Sequence, residues 1–313
     1  MESQEIAPLY FEQVENFQRY KKIKRIKNSL IGFSFLLPSI LLFGIFIFYP
    51  LIKTIYLSFY LTNPAGETTL FVGIENYTRL FQSPLFLQSL KSTGLFVLYT
   101  VPGTILFGFI LAILANEKLK GIGIFRTLFS STMGISVAAS SVFWIFLFNP
   151  TNGYLNKIVH LFGGTDIGWL TDPKWALISV AVSTIWMNSG FTFLIILGGL
   201  QSIDTQLYES ANVEGAGYFY QLRRITVPML SPTLFFIFTV SIINAFHTFG
   251  QFDMLTKGGP SNETNLLVYS IYREAFVNYQ YGSGSAQAVI LFILILVITA
   301  CQFKFNERKV HYQ

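Results

Sequence analysis

Two apolar stretches of this chain carry polar side chains at helical spacing, and the chemistry they support is hydrogen bonding rather than bond-making. The first reads Ser183-Thr184-Ile185-Trp186-Met187-Asn188-Ser189-Gly190-Phe191-Thr192, the second Ser241-Ile242-Ile243-Asn244-Ala245-Phe246-His247-Thr248. On an α-helix, Thr184, Met187, Asn188 and Phe191 share one face, as do Ser241, Asn244, Ala245 and Thr248. Hydroxyls and an amide beside an aromatic platform suit a neutral, hydroxyl-rich solute. The same residue types also glue membrane helices together, and the pattern alone leaves both readings open. His247 is the one histidine in these stretches. It either lines a solute path or is a neutral ring bonded to a neighbouring helix.

Reaction chemistry is missing from the sequence. No Gly-x-x-x-x-Gly-Lys-Ser/Thr occurs, so the chain is not expected to hydrolyse nucleotide. Cys/His metal clusters and a Gly-x-Ser-x-Gly elbow are absent as well. The sole cysteine, Cys301, has no partner for an intrachain disulfide and reads as a small membrane residue. No cofactor is expected.

The elements that must position the polar faces follow from composition. Of 313 residues, 52% are hydrophobic and 12% charged, against about 25% charged in soluble domains. Six continuously apolar windows are long enough to cross a bilayer as helices, near 31–52, 93–115, 127–148, 175–198, 232–251 and 286–303. None alternates as a barrel strand does. The expected fold class is therefore an all-α polytopic membrane protein of six transmembrane helices. No Asp, Glu, Lys or Arg falls well inside these windows, where each costs about 2.5–3.5 kcal/mol to insert. Ion-coupled carriers commonly keep such groups.

With both termini in the cytoplasm, fourteen of the 21 Lys and Arg fall on inside segments and seven outside. That bias sets the orientation, and it accounts for the net charge of +5 without invoking nucleic acid. The first apolar run begins at residue 31 and is too long for a signal-peptide core. Residues 1–30 are expected to form a basic N-terminal segment, 31–303 one membrane domain, and 304–313 a short tail. Within the first segment, basic and apolar residues interleave over 9–28. This fits an interfacial helix on anionic lipid or a cytoplasmic tail that enforces orientation.

Of the outer loops, 53–92 contains Phe71-Val72-Gly73-Ile74-Glu75-Asn76-Tyr77, a packed turn, and 252–285 contains Leu255-Thr256-Lys257-Gly258-Gly259-Pro260. The inside loop 199–231 is longer than a connection requires. Glu209 and Glu214 lie towards its start and Arg223 and Arg224 towards its end, matching the helix dipole. Gly215 permits a sharp bend and close approach, and Pro228 and Pro232 reset the chain. A docking element fits these features better than a linker.

The loop sequence Glu209-Ser210-Ala211, Gly215, Ile225 and Pro228 resembles the cytoplasmic coupling loop of binding-protein-dependent ABC importers. With Phe71 to Tyr77, Phe125-Arg126-Thr127, Ile185-Trp186, Gly199-Leu200-Gln201, Leu255 to Pro260 and Tyr272 to Phe276, the chain resembles permease subunits of carbohydrate ABC importers. The likeness is to the maltose, multiple-sugar and glycerol-phosphate type, on the side of the first of two nonidentical permeases. It implies the type I importer fold in a bacterial plasma membrane. Implied partners are a second permease, two ATPase subunits using ATP and Mg, and an extracytoplasmic solute-binding protein.

The resemblance further implies that Glu209, Ser210, Ala211 and Gly215 sit in the ATPase cleft. Aligned through that loop, it places Thr184, Met187, Asn188, Phe191, Ser241, Asn244, Ala245 and Thr248 at sugar-facing positions. Ser136 and Ser140 of the third span are further candidates beside His247. Three departures stand out: Ser210 replaces the motif's first alanine, Asp204 stands where proline is usual, and Thr132 replaces a frequent proline. An importer of charged solutes and a secondary transporter are the alternative functions.

Overall fold

The computed structural model describes residues 6–117 and 119–306, so Lys118, Arg308 and Lys309 and most of the expected tail lie outside the described residues. Contacts divide the chain into two compact units at Tyr56/Leu57.

The first unit is helical throughout. Helix α1 (Ile6–Phe43) runs without a break across residue 30, contains Pro38, passes through a π-turn at Gly44–Phe48 and continues as α2 (Tyr49–Leu57). Lys27–Leu57 is long and apolar enough to span a bilayer, and its apolar side chains stand exposed.

The second unit opens with a feature the sequence reading lacks, a two-stranded antiparallel hairpin of β1 (Tyr60–Thr62) and β2 (Thr68–Phe71), in register Tyr60 to Phe71. Asn63 closes its turn by accepting from the backbone nitrogens of Ala65 and Glu67. Helix α3 (Glu75–Gln82) follows, and buried Asn76 donates from Nδ2 to the carbonyls of Ser58 and Tyr60 at 2.9 and 3.1 Å. The expected packed turn is thus a helix stapled to the hairpin through one amide.

Helix α4 (Pro84–Asn116) and α8 (Pro173–Gln201) are the two long spans that pack most extensively together. Each starts with proline at its first helical position, where the missing N–H costs nothing. Their contact face is built from small and hydroxyl residues. A Cβ at Gly108 would stand 2.5 Å from Thr192 Cγ2 and 3.3 Å from the Phe193 nitrogen, so the helices meet at backbone distance there. Without a hydrophobic force between helices in lipid, such close contact is what holds them. Phe193, Ile196 and Ala112 are fully buried beside it.

The third expected span is not one continuous helix. Helix α5 (Ile122–Ser130) tightens into a 3₁₀ turn at Ser131–Gly134, and α6 (Val137–Leu147) departs at 106°. Extended backbone at Ile135 and Ser136 makes the break. Buried Thr132 fixes it by accepting from the Gly190 nitrogen of α8 at 2.9 Å. Helix α7 (Tyr154–Leu161) and the loop after it are organised by Asn156, which donates to the carbonyls of Pro150 and Ile167 and accepts from Trp169 Nε1 at 2.8 Å.

The 199–231 loop folds as α9 (Thr205–Val213) and α10 (Tyr218–Gln221), the latter running through a π-turn into α11 (Val227–Met229). Helix α12 (Ser231–His247) departs at 66° from that arm. It stops four residues before the expected end of the fifth span. Thr248 is extended, with its hydroxyl bonded back to the Asn244 carbonyl, and the chain restarts as α13 (Gly250–Leu255). Helix α14 (Leu267–Tyr272) and α15 (Tyr281–Asn306) complete the chain. Among the described residues, four helices are long and apolar enough to cross a membrane, or six if each bent pair counts as one span.

The fold rests most on the α4–α8 contact. Gly108→Val should cost about 1–3 kcal/mol through overpacking and lower the thermal midpoint of the detergent-solubilised protein. An unchanged midpoint would contradict close approach at that point.

Candidate functional site

Thr184 and Met187 of the first polar face lie side by side, Thr184 buried and Met187 half-buried. Thr184 is 1% exposed, and its hydroxyl donates to Gln251 Oε1 at 2.5 Å, with the Val180 carbonyl at 2.8 Å. The Gln251 amide nitrogen faces Met187 Sδ at 3.6 Å. Asn188 and Phe191 are half-buried on the next turn, Phe191 against the core around Phe193.

Gln251 was not among the residues the sequence singled out. The signal was available: it is the one glutamine between residues 222 and 279 and closes an apolar run. Helical spacing from Ser241 ends at Thr248, and the break after His247 is what turns Gln251 towards α8.

The second face divides. Ala245 is 2% exposed and packs in the core with Phe246 and Val180, whereas Asn244 is exposed. Ser241 and Thr248 are half-buried. His247 is exposed, and its Nδ1 lies 2.8 Å from the Ile243 carbonyl. It is bonded to its own helix, not a neighbouring one. With Ile243 it borders an apolar groove against α15, lined by Leu291, Phe292, Ile295 and Thr299. Thr184 and His247 therefore have different surroundings.

On α6, Ser136 is the N-cap, accepting from the Ala139 nitrogen at 3.2 Å. Ser140 is fully buried, and its hydroxyl has no partner among the described residues; the same holds for Trp144 Nε1, one turn on. Trp144 stacks on Phe148 and meets Trp186 of α8 edge-on at 5.9 Å. All four tryptophans fall in this aromatic run, which continues from Phe148 through Trp169 to Trp175.

The inside loop forms the other candidate surface. Asp204 caps α9 by accepting from the Gln206 nitrogen at 2.9 Å, the capping role that its side chain suits. Gly215 has φ +76° with open space where a side chain would stand. The two arms are pinned by Tyr208 to Thr226 at 3.0 Å, and by Gln221 donating to Asn212 at 2.6 Å and to the Ala216 carbonyl at 2.8 Å. Ala211 is buried beneath Glu209 and Ser210, which are exposed. Val213 and Phe219 stand 90% and 81% exposed. At the membrane side of the loop, Arg126 donates twice to the Ala115 carbonyl and caps the end of α4.

In the 252–285 loop, the Tyr269 phenol is raised above its ordinary pKa, first by burial and then by the Asp253 carboxylate, and remains a neutral hydroxyl. Among the described residues no group of three or more His, Cys, Asp or Glu is arranged to hold a metal.

Residues 104–312 match the family described as binding-protein-dependent transport system inner membrane component. The chain belongs to this family. It is 34% identical over 288 residues to an sn-glycerol-3-phosphate transport system permease protein of Agrobacterium fabrum, covering 91% of this chain and 97% of that one. A probable ABC transporter permease of Pyrococcus horikoshii is 33% identical over 266 residues, 84% and 91% of the two chains.

Among solved structures, the permease resembles a chain of a bacterial alginate ABC transporter in complex with an alginate pentasaccharide-bound periplasmic protein. That match has TM-score 0.75, 25% identity and coverage of 91% and 96%. A second alginate importer structure, 24% identical with TM-score 0.81 over 92% and 99%, shares the fold. This chain is therefore a multi-pass membrane permease subunit of an ABC importer, with the type I importer fold.

The pinned loop makes a local prediction. Tyr208→Phe removes one partly buried hydrogen bond, worth about 0.5–1.5 kcal/mol. Amide exchange over residues 205–229 should quicken several-fold while the long spans keep their protection. Unchanged exchange would show that the arms are held by other contacts.

Proposed function

We propose that this permease imports a sugar or oligosaccharide handed over by an extracytoplasmic binding protein, paired with a second permease and driven by two ATPase subunits. The observation that carries the reading is the inside loop. Its two arms are pinned to each other, yet Val213 and Phe219 stand almost fully exposed beside Glu209, Ser210 and the open turn at Gly215. A pre-formed element with apolar side chains in solvent is a surface awaiting a partner. ATP and Mg are used by that partner, and this chain itself holds no cofactor. Both termini and the loop face the cytoplasm.

In this reading, closure of the ATPase pair pulls on α9 and α10. The pull passes into α8 and α12 and changes which side of the membrane the solute path opens to. The solute must bind the two states differently for transport to couple. Thr184, Met187, Asn188 and Phe191 supply one wall of the path; Ser241, Asn244, Ala245 and Thr248 supply another, with His247, Ser136 and Ser140 as further contacts. The loops 149–174 and 252–285 are the proposed seat of the binding protein. Residues 199–231 are the coupling segment of a permease domain running over 31–303, flanked by the basic segment 1–30 and the tail.

A charged solute is the second reading, favoured by what the similar proteins are named for: glycerol 3-phosphate in one case, alginate, an acidic polysaccharide, in others. Competition of uptake separates the two. Neutral maltose and maltotriose should compete under the first reading, and glycerol 3-phosphate or an alginate oligosaccharide under the second.

The coupling assignment is tested by Gly215→Asp. Aspartate is among the few residues that visit the left-handed region, so the turn should survive while a charge enters the docking surface. Affinity purification from native membranes should recover the second permease with wild type and variant, and the ATPase with wild type alone. Recovery of the ATPase with both would remove Gly215 from the interface.

A further inference from the structure

Gln251 is 1% exposed, yet its carboxamide makes only one strong hydrogen bond among the described residues, accepting from Thr184. Its two amide hydrogens face a thioether, Met187 Sδ, which is a weak acceptor. A buried amide satisfied at one end is held by shape as much as by bonding.

The neighbouring helix offers an alternative. Gly250 of α13 sits against α6 so closely that a Cβ there would lie 3.0 Å from Val137 Cγ1. On α6, Ser140 Oγ and Trp144 Nε1 are buried donors with no partner among the described residues. The junction of α6, α8 and α13 thus holds one amide oxygen that accepts a single bond, though it has two lone pairs, and two unused donors. Helix α13 is six residues long and is separated from α12 by the extended residue Thr248, so it can shift without unwinding a span.

We propose that Gln251 is a positioning residue of the solute path, whose carboxamide stands in for a solute hydroxyl on Thr184 and Met187 in this conformation. Loading requires α13 to withdraw that amide towards α6, where Ser140 and Trp144 replace the bonds it gives up. The inference rests on the transport function proposed above. It makes the polar face a two-state element, occupied either by the protein's own amide or by cargo. The Thr184–Gln251 bond then belongs to the resting state, and weakening it shifts the population towards the state that hydrolyses ATP.

The test is basal ATP hydrolysis by the purified importer in nanodiscs, without solute or binding protein, so that the cargo need not be known. Thr184→Val removes the hydroxyl and keeps the shape; Gln251→Met keeps the side-chain length and removes the amide. Each should raise basal hydrolysis 3- to 10-fold, and the double variant should rise no further than the larger single, because both delete the same bond. Trp144→Phe removes a replacement donor and should lower the basal rate about threefold.

A merely structural role for Gln251 would not produce paired, non-additive increases with an opposite sign at Trp144. Unchanged hydrolysis in both assembled single variants overturns the proposal, as does a double variant whose increases multiply. If Gln251→Met fails to assemble, Thr184→Val alone decides: a wild-type rate overturns it. A wild-type complex carrying no ATPase instead defeats the transport reading itself, and this inference with it.

Discussion

One unbroken helix connects the two candidate surfaces of this permease, and α4, α5, α6, α12 and α13 all pack against it. Helix α8 runs from Pro173 to Gln201, and α9 begins four residues later at Thr205. Thr184 and Gln201 are seventeen residues apart, about 25 Å along a helix at 1.5 Å per residue. A helix of this length packed against α4 through Gly108 and Thr192 does not absorb displacement internally. Movement at its inner end therefore reaches the polar face near its middle. The contrast with the third and fifth spans supports this division of labour. The third is bent by 106° where extended residues interrupt the ladder, and the fifth meets the loop arm before it at 66° and breaks again at Thr248.

The buried hydroxyls follow a common physical logic. Thr93, Thr100, Ser183 and Ser189 donate to carbonyls three or four residues earlier in their own helices. In a membrane such back-bonding satisfies the polar group without a partner helix. Thr132, Thr184 and Thr93 go further and tie segments together, the last by accepting from the Leu267 nitrogen at 2.8 Å. The hydroxyl-rich faces are consequently both packing and polar surface. The sequence pattern alone left those two uses undivided because the same residues do both.

Much of the fold was legible in the residues. Charge depletion and window length are properties of composition, so the all-helical membrane class and the long 199–231 loop follow directly from them, and the four to six candidate spans among the described residues are compatible with the six windows. The breaks at Ile135–Ser136 and Thr248 were not legible, since neither site carries a proline and both lie in apolar runs. They are imposed by neighbours: Thr132 reaching α8, and Gly250 pressed against Val137. The same break re-aims Gln251, which is why helical spacing pointed past it. Ala245 and Asn244, adjacent on one expected face, fall on opposite sides of the burial boundary because α12 is covered on one flank only. The 199–231 loop was the most readable part, its turn glycine and terminal charges being local signals that need no tertiary context, whereas the capping role of Asp204 emerged only from the structure.

In the transport function proposed above, this chain translocates its cargo only when ATPase subunits act on the 199–231 loop. Uptake of radiolabelled maltose and glycerol 3-phosphate by proteoliposomes tests it directly, comparing this chain alone with the assembly of both permeases, the ATPase and the binding protein. The account predicts no uptake by the chain alone, and uptake of one of the two by the full assembly only when ATP is enclosed with the ATPase. Concentrative or saturable uptake by the chain alone, without ATP, would contradict it and identify a secondary transporter.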